Sequence, residues 1–337
     1  MAGESAGACC ILAHLRGQVP VFQNAFLMSP AFLTLGNESD VQATFDRLAA
    51  EHGLPDAPMG QKLSALRSTD PLILQGLAAD RMTPLCEDSE FFYHWTGQQF
   101  EDVLVIPSWV KKVVVGETRE ETLLFAQRWA TMSAEDMYTE WKQAYQDPVY
   151  AQEVLSNYGV GKSSSHEELL AGQIAYTSDA LFGKVVNSVA RTQLQARHPS
   201  SPKVYQYSFD QPDMLTSNTV FYNGAYHSED NAFLFYFPQV AGASAPAEFR
   251  ATADVYSGAV LNLINDSEPW EEIGVARRFM SINADKSRMK DEAEGSYKRF
   301  EKLIDTPERL GMFLGGLSLL YKAMAYALSL PVDAESK

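Results

Sequence analysis

Ser5 stands between two glycines, in the segment GESAG at residues 3–7. The G-x-S-x-G pattern is typical of a sharp strand-to-helix turn that exposes a serine hydroxyl for nucleophilic attack. We expect both glycines to be required, because the turn crowds the backbone and a side chain at either position would clash. Residues 8–15 are small and apolar and contain no proline, so they predict the helix that follows such a turn.

A serine nucleophile needs a base that takes its proton and an acid that holds this base in the correct tautomer. After a turn of this kind, the acid and then the histidine are expected further along the chain. Three glutamates follow the strand-like run VVV at 113–115 and are candidates for the acid: Glu117, Glu120 and Glu121. His227 is the candidate base, because it lies in a polar, glycine-containing loop downstream of a second clear strand. The other histidines lie in or beside predicted helices, or ahead of the acid segment: His14, His52, His94, His166 and His198.

Three separate motifs resemble the type-B carboxylesterase/lipase family, which includes the cholinesterases. The segment GESAGA at 3–8 is similar to the family's serine turn, VVGETREE at 114–121 to its strand-and-acid segment, and YHSED at 226–230 to its histidine loop. Two positions depart from the usual family pattern, since Thr122 and Ser228 stand where glycine is usual.

The resemblance implies a serine carboxylic-ester hydrolase that forms an acyl-enzyme, with Ser5 as nucleophile, Glu121 as acid and His227 as base. It also implies an oxyanion hole to which the backbone N–H of Ala6 contributes. The expected partner is a small-molecule ester substrate, and neither a metal nor an organic cofactor is implied.

Members of this family carry further sheet strands and a Gly-Gly loop ahead of the serine turn. We therefore expect a truncated chain that starts at this turn, in which Met1 and Ala2 are the last residues of a largely missing strand. An alternative prediction follows, namely a catalytically impaired hydrolase-like protein. It would act by binding, or by pairing with another chain as a homo- or hetero-oligomer through the exposed sheet edge.

Short β-rich runs alternate with longer amphipathic stretches, which predicts an α/β fold. With the resemblance, this indicates a single α/β-hydrolase domain over residues 1–337. We expect the C-terminal portion of a mainly parallel, doubly wound sheet with helices on both faces. The clearest strands are predicted over 24–28, 111–116 and 203–209, and the longest helices over 39–53, 174–197 and 248–265.

Composition excludes several classes of partner. The chain has 27 Lys and Arg against 43 Asp and Glu, a net charge of −16, which argues against nucleic acid and against anionic membrane surfaces. Its three cysteines, with no secretory signal, predict a reduced, cytoplasmic protein. Residues 310–330 are apolar apart from Lys322 and a few hydroxyls. We favour a buried C-terminal helix there, with Lys322 reaching the surface, over a membrane anchor.

Overall fold

The structure, a computed structural model, describes residues 1–16, 19–31, 38–78, 106–195, 202–217 and 219–329. The chain divides into two compact units, one formed by Met1–Phe32 with Leu104–Lys337 and the other by Leu33–Val103. The first unit contains the sheet and the predicted site residues. That residues 1–337 form a single domain stays a prediction.

Six strands form one sheet in the order in which they occur along the chain: β1 (Ala2–Glu4), β2 (Asn24–Met28), β3 (Lys112–Thr118), β4 (Lys203–Phe209), β5 (Phe279–Ile282) and β6 (Arg288–Lys290). Strands β1 to β5 run parallel, and β6 pairs antiparallel with β5. β3 is buried along its whole length, as expected of a central strand in a parallel sheet covered on both faces. The predicted strands β2, β3 and β4 and the mainly parallel character of the sheet are confirmed.

Three strands carry little sequence signal, because they are too short to show an alternating apolar pattern. The expectation that the strand ahead of the serine turn ends at Ala2 is wrong, since β1 continues through Glu4 and pairs with β2. Strands β5 and β6 were not predicted. The oligomer expected to form through the sheet edge stays a prediction.

Helices occupy most of the remaining described residues: α1 (Ala6–Arg16), α2 (Glu38–Glu51), α3 (Met59–Ser68), α4 (Pro71–Ala78), α5 (Gln127–Ala130), α6 (Ala134–Gln143), α7 (Pro148–Asn157), α8 (His166–Ser178), α9 (Lys184–Gln195), α10 (Glu229–Leu234), α11 (Pro238–Ala241), α12 (Ala247–Ile264), α13 (Tyr297–Phe300), α14 (Pro307–Gly315) and α15 (Ser318–Ser329). A 3₁₀ turn covers Glu121–Phe125. The long helix predicted over 174–197 is instead α8 and α9, joined by a π-helical turn at Asp179–Gly183.

Several helices begin at capping residues that the sequence supplies. Ser133 accepts a hydrogen bond from the first turn of α6, and Asp147 does the same for α7, ahead of a proline at its first position. Ser165 and Glu168 form a capping box at the start of α8. Of these helices, α8 contacts the 3₁₀ turn that carries the candidate acid.

Alternating strand residues build the core on one face of the sheet. Phe26, Val114 and Tyr207 point to this face, where they join Phe249 and Tyr256 of α12 in one apolar cluster. Their neighbours along the strands point to the opposite face, because side chains alternate along a strand. Helix α1 contacts β1 and β2, and α9 contacts β3 and β4. The sheet is thus flanked by helices.

A second apolar cluster lies among the helices that follow β3 and those at the C-terminal end. Trp141, Tyr176 and Phe313 are fully buried in it. The single helix predicted over 310–330 is wrong, because α14 and α15 are separated at Gly316, where tyrosine hydroxyls occupy the space of a side chain. None of the helices in the described ranges has the length and apolar character that crossing a bilayer requires.

Candidate active site

Ser5 lies in the turn between β1 and α1 with a φ of 53°, a left-handed conformation that is unfavourable for a residue with a side chain. The backbone holds it there, because its N–H donates to the carbonyl of Met28 and its carbonyl accepts from Cys9 N, at 2.9 and 3.0 Å. A Cβ on Gly3 would lie 2.5 Å from the carbonyl group of Gly7, whereas a Cβ on Gly7 would meet nothing within 4 Å. The expected need for glycine is therefore confirmed for Gly3 and wrong for Gly7.

His227 lies in the loop between β4 and α10 and faces both other predicted site residues. Its Nε2 is 2.8 Å from Ser5 Oγ, and its Nδ1 is 2.5 Å from Glu121 Oε2. The Phe182 ring packs against the imidazole, with ring centroids 4.9 Å apart. The structure thus brings together three residues that are widely separated in the sequence. His227 lies between the other two and contacts both Ser5 and Glu121.

Glu121 is fully buried at the start of the 3₁₀ turn that follows β3. Its Oε1 accepts a hydrogen bond of 2.7 Å from Thr118 N, which leaves Oε2 facing the imidazole. Thr122 anchors the same turn, since its N–H donates to Ser178 Oγ at 3.0 Å and its hydroxyl lies 2.6 Å from that of Thr177. The threonine that replaces the family's usual glycine therefore fixes the acid-bearing turn to α8.

The other two candidate acids contact different groups. Glu120 accepts a 2.8 Å hydrogen bond from Ala225 N through its Oε2. Glu117 accepts a 2.7 Å hydrogen bond from Ser296 and lines a polar cavity of about 210 Å³. Of the three glutamates, Glu121 is the one that the structure places against His227.

Several carboxylates tune the charge of His227. Burial lowers the pKa of His227, but Glu121, through charge and hydrogen bonding, and then Glu4 and Asp230, through charge alone, raise it. The net result is a pKa above the ordinary value for histidine, near 6.5. Negative groups around an imidazole stabilise the imidazolium that forms when the histidine takes a proton.

Asp230 is a buried carboxyl at the site that the sequence motifs do not assign to a role. Its Oδ2 accepts hydrogen bonds from the hydroxyls of Tyr256 and Tyr207, at 2.8 and 3.4 Å, while its buried Oδ1 has no hydrogen-bond partner among the described residues. Burial raises the pKa of Asp230 to about 7 against the hydrogen bond from Tyr256, and the charge of Glu121 adds to the rise. The sequence signal was its position three residues after His227, within the same YHSED motif.

Glu4 and Ser228 were also given no role. Ser228 Oγ donates a 2.6 Å hydrogen bond to Glu4 Oε1, and this oxygen lies 3.2 Å from His227 Nε2. Each of the two residues adjoins a predicted site residue in the sequence, but no spacing rule pairs them.

Ala6 is the first residue of α1, where backbone N–H groups have no acceptor within the helix and the helix dipole is positive. Its N–H therefore adjoins Ser5 at a position suited to an anionic oxygen. Within the described ranges, no group of three or more His, Cys, Asp and Glu side chains is arranged to hold a metal ion.

A family model described as the carboxylesterase family matches residues 1–300. The chain belongs to the carboxylesterase family. Its mostly parallel sheet with flanking helices agrees with the α/β-hydrolase fold of that family, so the predicted fold is confirmed. The carboxylesterase is accordingly a hydrolase of the ester-cleaving type. A comparison with curated proteins found no match.

Proposed function

We propose that this carboxylesterase is a serine hydrolase in which Ser5 is the nucleophile, His227 the general base and Glu121 the orienting acid. The observation that carries the proposal is the line of contacts from Ser5 Oγ through the imidazole to Glu121, at 2.8 and 2.5 Å. Contacts of this length between nucleophile, base and acid are those that proton transfer requires.

In the first half of the reaction, Ser5 Oγ attacks the ester carbonyl carbon while His227 Nε2 takes the hydroxyl proton. Glu121 accepts the Nδ1–H, which keeps Nε2 free to act as base and stabilises the imidazolium once it forms. The imidazolium then gives its proton to the departing alkoxide oxygen, which leaves as the alcohol. The acyl group remains on Ser5.

In the second half, His227 takes a proton from water, and the resulting hydroxide attacks the acyl carbon. The second tetrahedral intermediate collapses, releasing the carboxylic acid and returning the proton to Ser5 Oγ. In both halves, the Ala6 N–H donates to the negative carbonyl oxygen, with support from the positive end of the α1 dipole.

The test is covalent labelling with a fluorophosphonate, read by intact mass, together with hydrolysis of p-nitrophenyl esters. We expect one adduct on the unmodified chain and none on Ser5→Ala, whose hydrolysis falls by ~10³-fold or more. Ser29→Ala is a matched control. Ser29 also follows a parallel strand with a positive φ, of 50°, but it is fully buried. Labelling of folded Ser5→Ala, or loss of labelling only in Ser29→Ala, contradicts the proposal.

A further inference from the structure

Ser228 and Glu4 make a contact beside the imidazole that the mechanism above does not use. The Ser228 hydroxyl donates to Glu4 Oε1 at 2.6 Å, and the same oxygen lies 3.2 Å from His227 Nε2. The contact joins the end of β1, directly ahead of Ser5, to the loop that carries His227. It therefore connects the nucleophile and base segments at the atom that exchanges the proton.

Ser228 adopts an unfavourable backbone conformation at this position. Its φ of 68° and ψ of 0° are left-handed, a region that glycine enters without strain and serine does not. Glycine, however, has no hydroxyl to donate to Glu4. Ser228 is thus strained, yet its hydroxyl makes a short hydrogen bond to the Glu4 carboxylate beside Nε2. We infer that this hydrogen bond has a role at the site.

The contact between Glu4 and His227 changes character during the reaction. In the resting state Nε2 is an acceptor for the Ser5 hydroxyl, so it offers no proton to Glu4. Once Nε2 has taken the proton, it becomes a donor with a positive charge, and Glu4 Oε1 lies within reach of it. The attraction is thus stronger in the transition state than in the ground state, which is the condition for accelerating a reaction.

We propose that Ser228 is a positioning residue that holds the Glu4 carboxylate beside Nε2, so that Glu4 stabilises the imidazolium formed when Ser5 is activated. The inference rests on the proposed function. The Glu4 side chain is 19% exposed, so that without the Ser228 hydrogen bond the carboxylate rotates towards water. The imidazolium then loses part of its stabilisation.

Other charged groups face the imidazole and remain in place when Ser228 is changed. Glu121 contacts Nδ1 from the turn after β3, and Asp230 acts through its charge from α10. Neither carboxyl group accepts its hydrogen bonds from Ser228, since Glu121 is held by Thr118 and Asp230 by Tyr256. A change in the titration of His227 in Ser228 variants therefore reports on Glu4.

Two substitutions separate the hydroxyl from the backbone strain. Ser228→Ala and Ser228→Gly both remove the hydrogen bond, but only the glycine variant relieves the left-handed conformation. We expect kcat for a p-nitrophenyl ester to fall by about 5- to 20-fold, and equally, in both variants. The acid limb of the kcat/KM profile is expected to move to lower pH, because a carboxylate that raises the pKa of His227 has been released. The Gly variant should have the higher Tm of the two.

A double-mutant cycle with Glu4→Gln completes the test. If Ser228 acts through the Glu4 charge, Ser228→Ala should leave the acid limb unchanged once Glu4→Gln is present. The inference is overturned if Ser228→Gly has normal activity, or if the acid limb is unchanged in both Ser228→Ala and Ser228→Gly. A limb that moves to higher pH also overturns it, since Glu4 would then approach the imidazole more closely without Ser228. The Ser5→Ala variant in the same assay separates these results from a failure of the proposed function, because it alone tests the nucleophile.

Discussion

Two aspartates are buried to the same degree in this carboxylesterase, but different groups balance their negative charges. Asp179, in the π turn between α8 and α9, accepts two hydrogen bonds from the Arg299 guanidinium, at 2.9 and 2.7 Å, and one from Tyr158. Asp230, three residues after the candidate base, accepts hydrogen bonds from tyrosine hydroxyls alone among the described residues, and one of its oxygens has no partner there.

The difference separates Asp179, a carboxylate that stabilises the fold, from Asp230, a carboxylate beside the candidate active site. A buried charge is costly unless an opposite charge and hydrogen bonds accompany it, and Arg299 supplies both to Asp179. Near Asp230, the cation is the imidazolium of His227, which lowers the pKa of Asp230 against the larger effect of burial. That cation forms only while the imidazole holds the extra proton. Compensation is thus permanent around Asp179 and transient around Asp230.

The largest effect should follow from removing the charge of the proposed acid, Glu121. Glu121→Gln preserves the shape of the side chain but withdraws the charge from Nδ1, and we expect kcat to fall by ~10³–10⁴-fold. Glu120→Gln is the matched control, because Glu120 is adjacent in sequence and contacts Ala225 N and Arg119 instead. Steady-state hydrolysis of a p-nitrophenyl ester checks both. Equal losses in the two variants would refute the assignment of the acid.

Removing the Arg299 guanidinium from Asp179 should destabilise the fold without changing the rate of ester hydrolysis. Arg299→Met leaves Asp179 buried without its cation, and we expect the free energy of unfolding to fall by about 2–4 kcal/mol, the partial exposure of Arg299 limiting the loss. Lys298→Met, one residue earlier in α13, removes an exposed ion pair with Glu301 and should change stability little. Denaturant titration checks both, and a matching loss in the two variants would contradict the distinction.

Removing the charge of Asp230 should change the pH dependence of ester hydrolysis more than the stability of the fold. Asp230→Asn withdraws one of the carboxylates that raise the pKa of His227, so the acid limb of kcat/KM should move to lower pH, but only slightly, because a carboxyl with a pKa of about 7 is partly protonated there. Asp179→Asn is the control, because the Arg299 guanidinium already compensates Asp179. The pH dependence of ester hydrolysis is the measurement, and an unmoved limb in Asp230→Asn would show that Asp230 carries no charge while His227 titrates.

Glu117 is a buried carboxyl whose ionisation is influenced by the charges of both regions. Burial raises the pKa of Glu117 to about 8, and the charges of Asp179 and Glu121 add to the rise. Because the folded state holds this proton up to a higher pH than the unfolded state, stability should fall as the pH rises from about 4.5 to about 8, by up to ~1.4 kcal/mol per pH unit.

Glu117→Gln should flatten this slope. Burial also raises the pKa of Glu229, to about 9, so a residual slope of the same sign should remain. Denaturant titrations at pH 5, 7 and 9 make the measurement. A slope unchanged by Glu117→Gln would show that Glu117 ionises in the folded state as it does in the unfolded one.

Much of the central sheet could be predicted from the sequence. The apolar runs of β2 and β3 are buried in a parallel sheet, where continuous hydrophobic stretches are expected, and β4 combines aromatic and β-branched residues. The end of β1 at Glu4 and the strands β5 and β6 could not be predicted, because three or four residues show no period. The π turn between α8 and α9 was missed for a related reason, since its residues read as continuous helix.

The sequence by itself determined the serine turn, the histidine loop and the order in which the candidate nucleophile, acid and base occur, since these depend on local motifs. Only the tertiary structure decided which of three neighbouring glutamates faces His227, and that Glu4, Ser228 and Asp230 lie around the same imidazole. The physical reason is that parallel strands bring their carboxyl ends to one edge of the sheet, where loops distant in sequence meet. Which side-chain oxygen faces which nitrogen there depends on burial and hydrogen-bond geometry, which no spacing in the chain records.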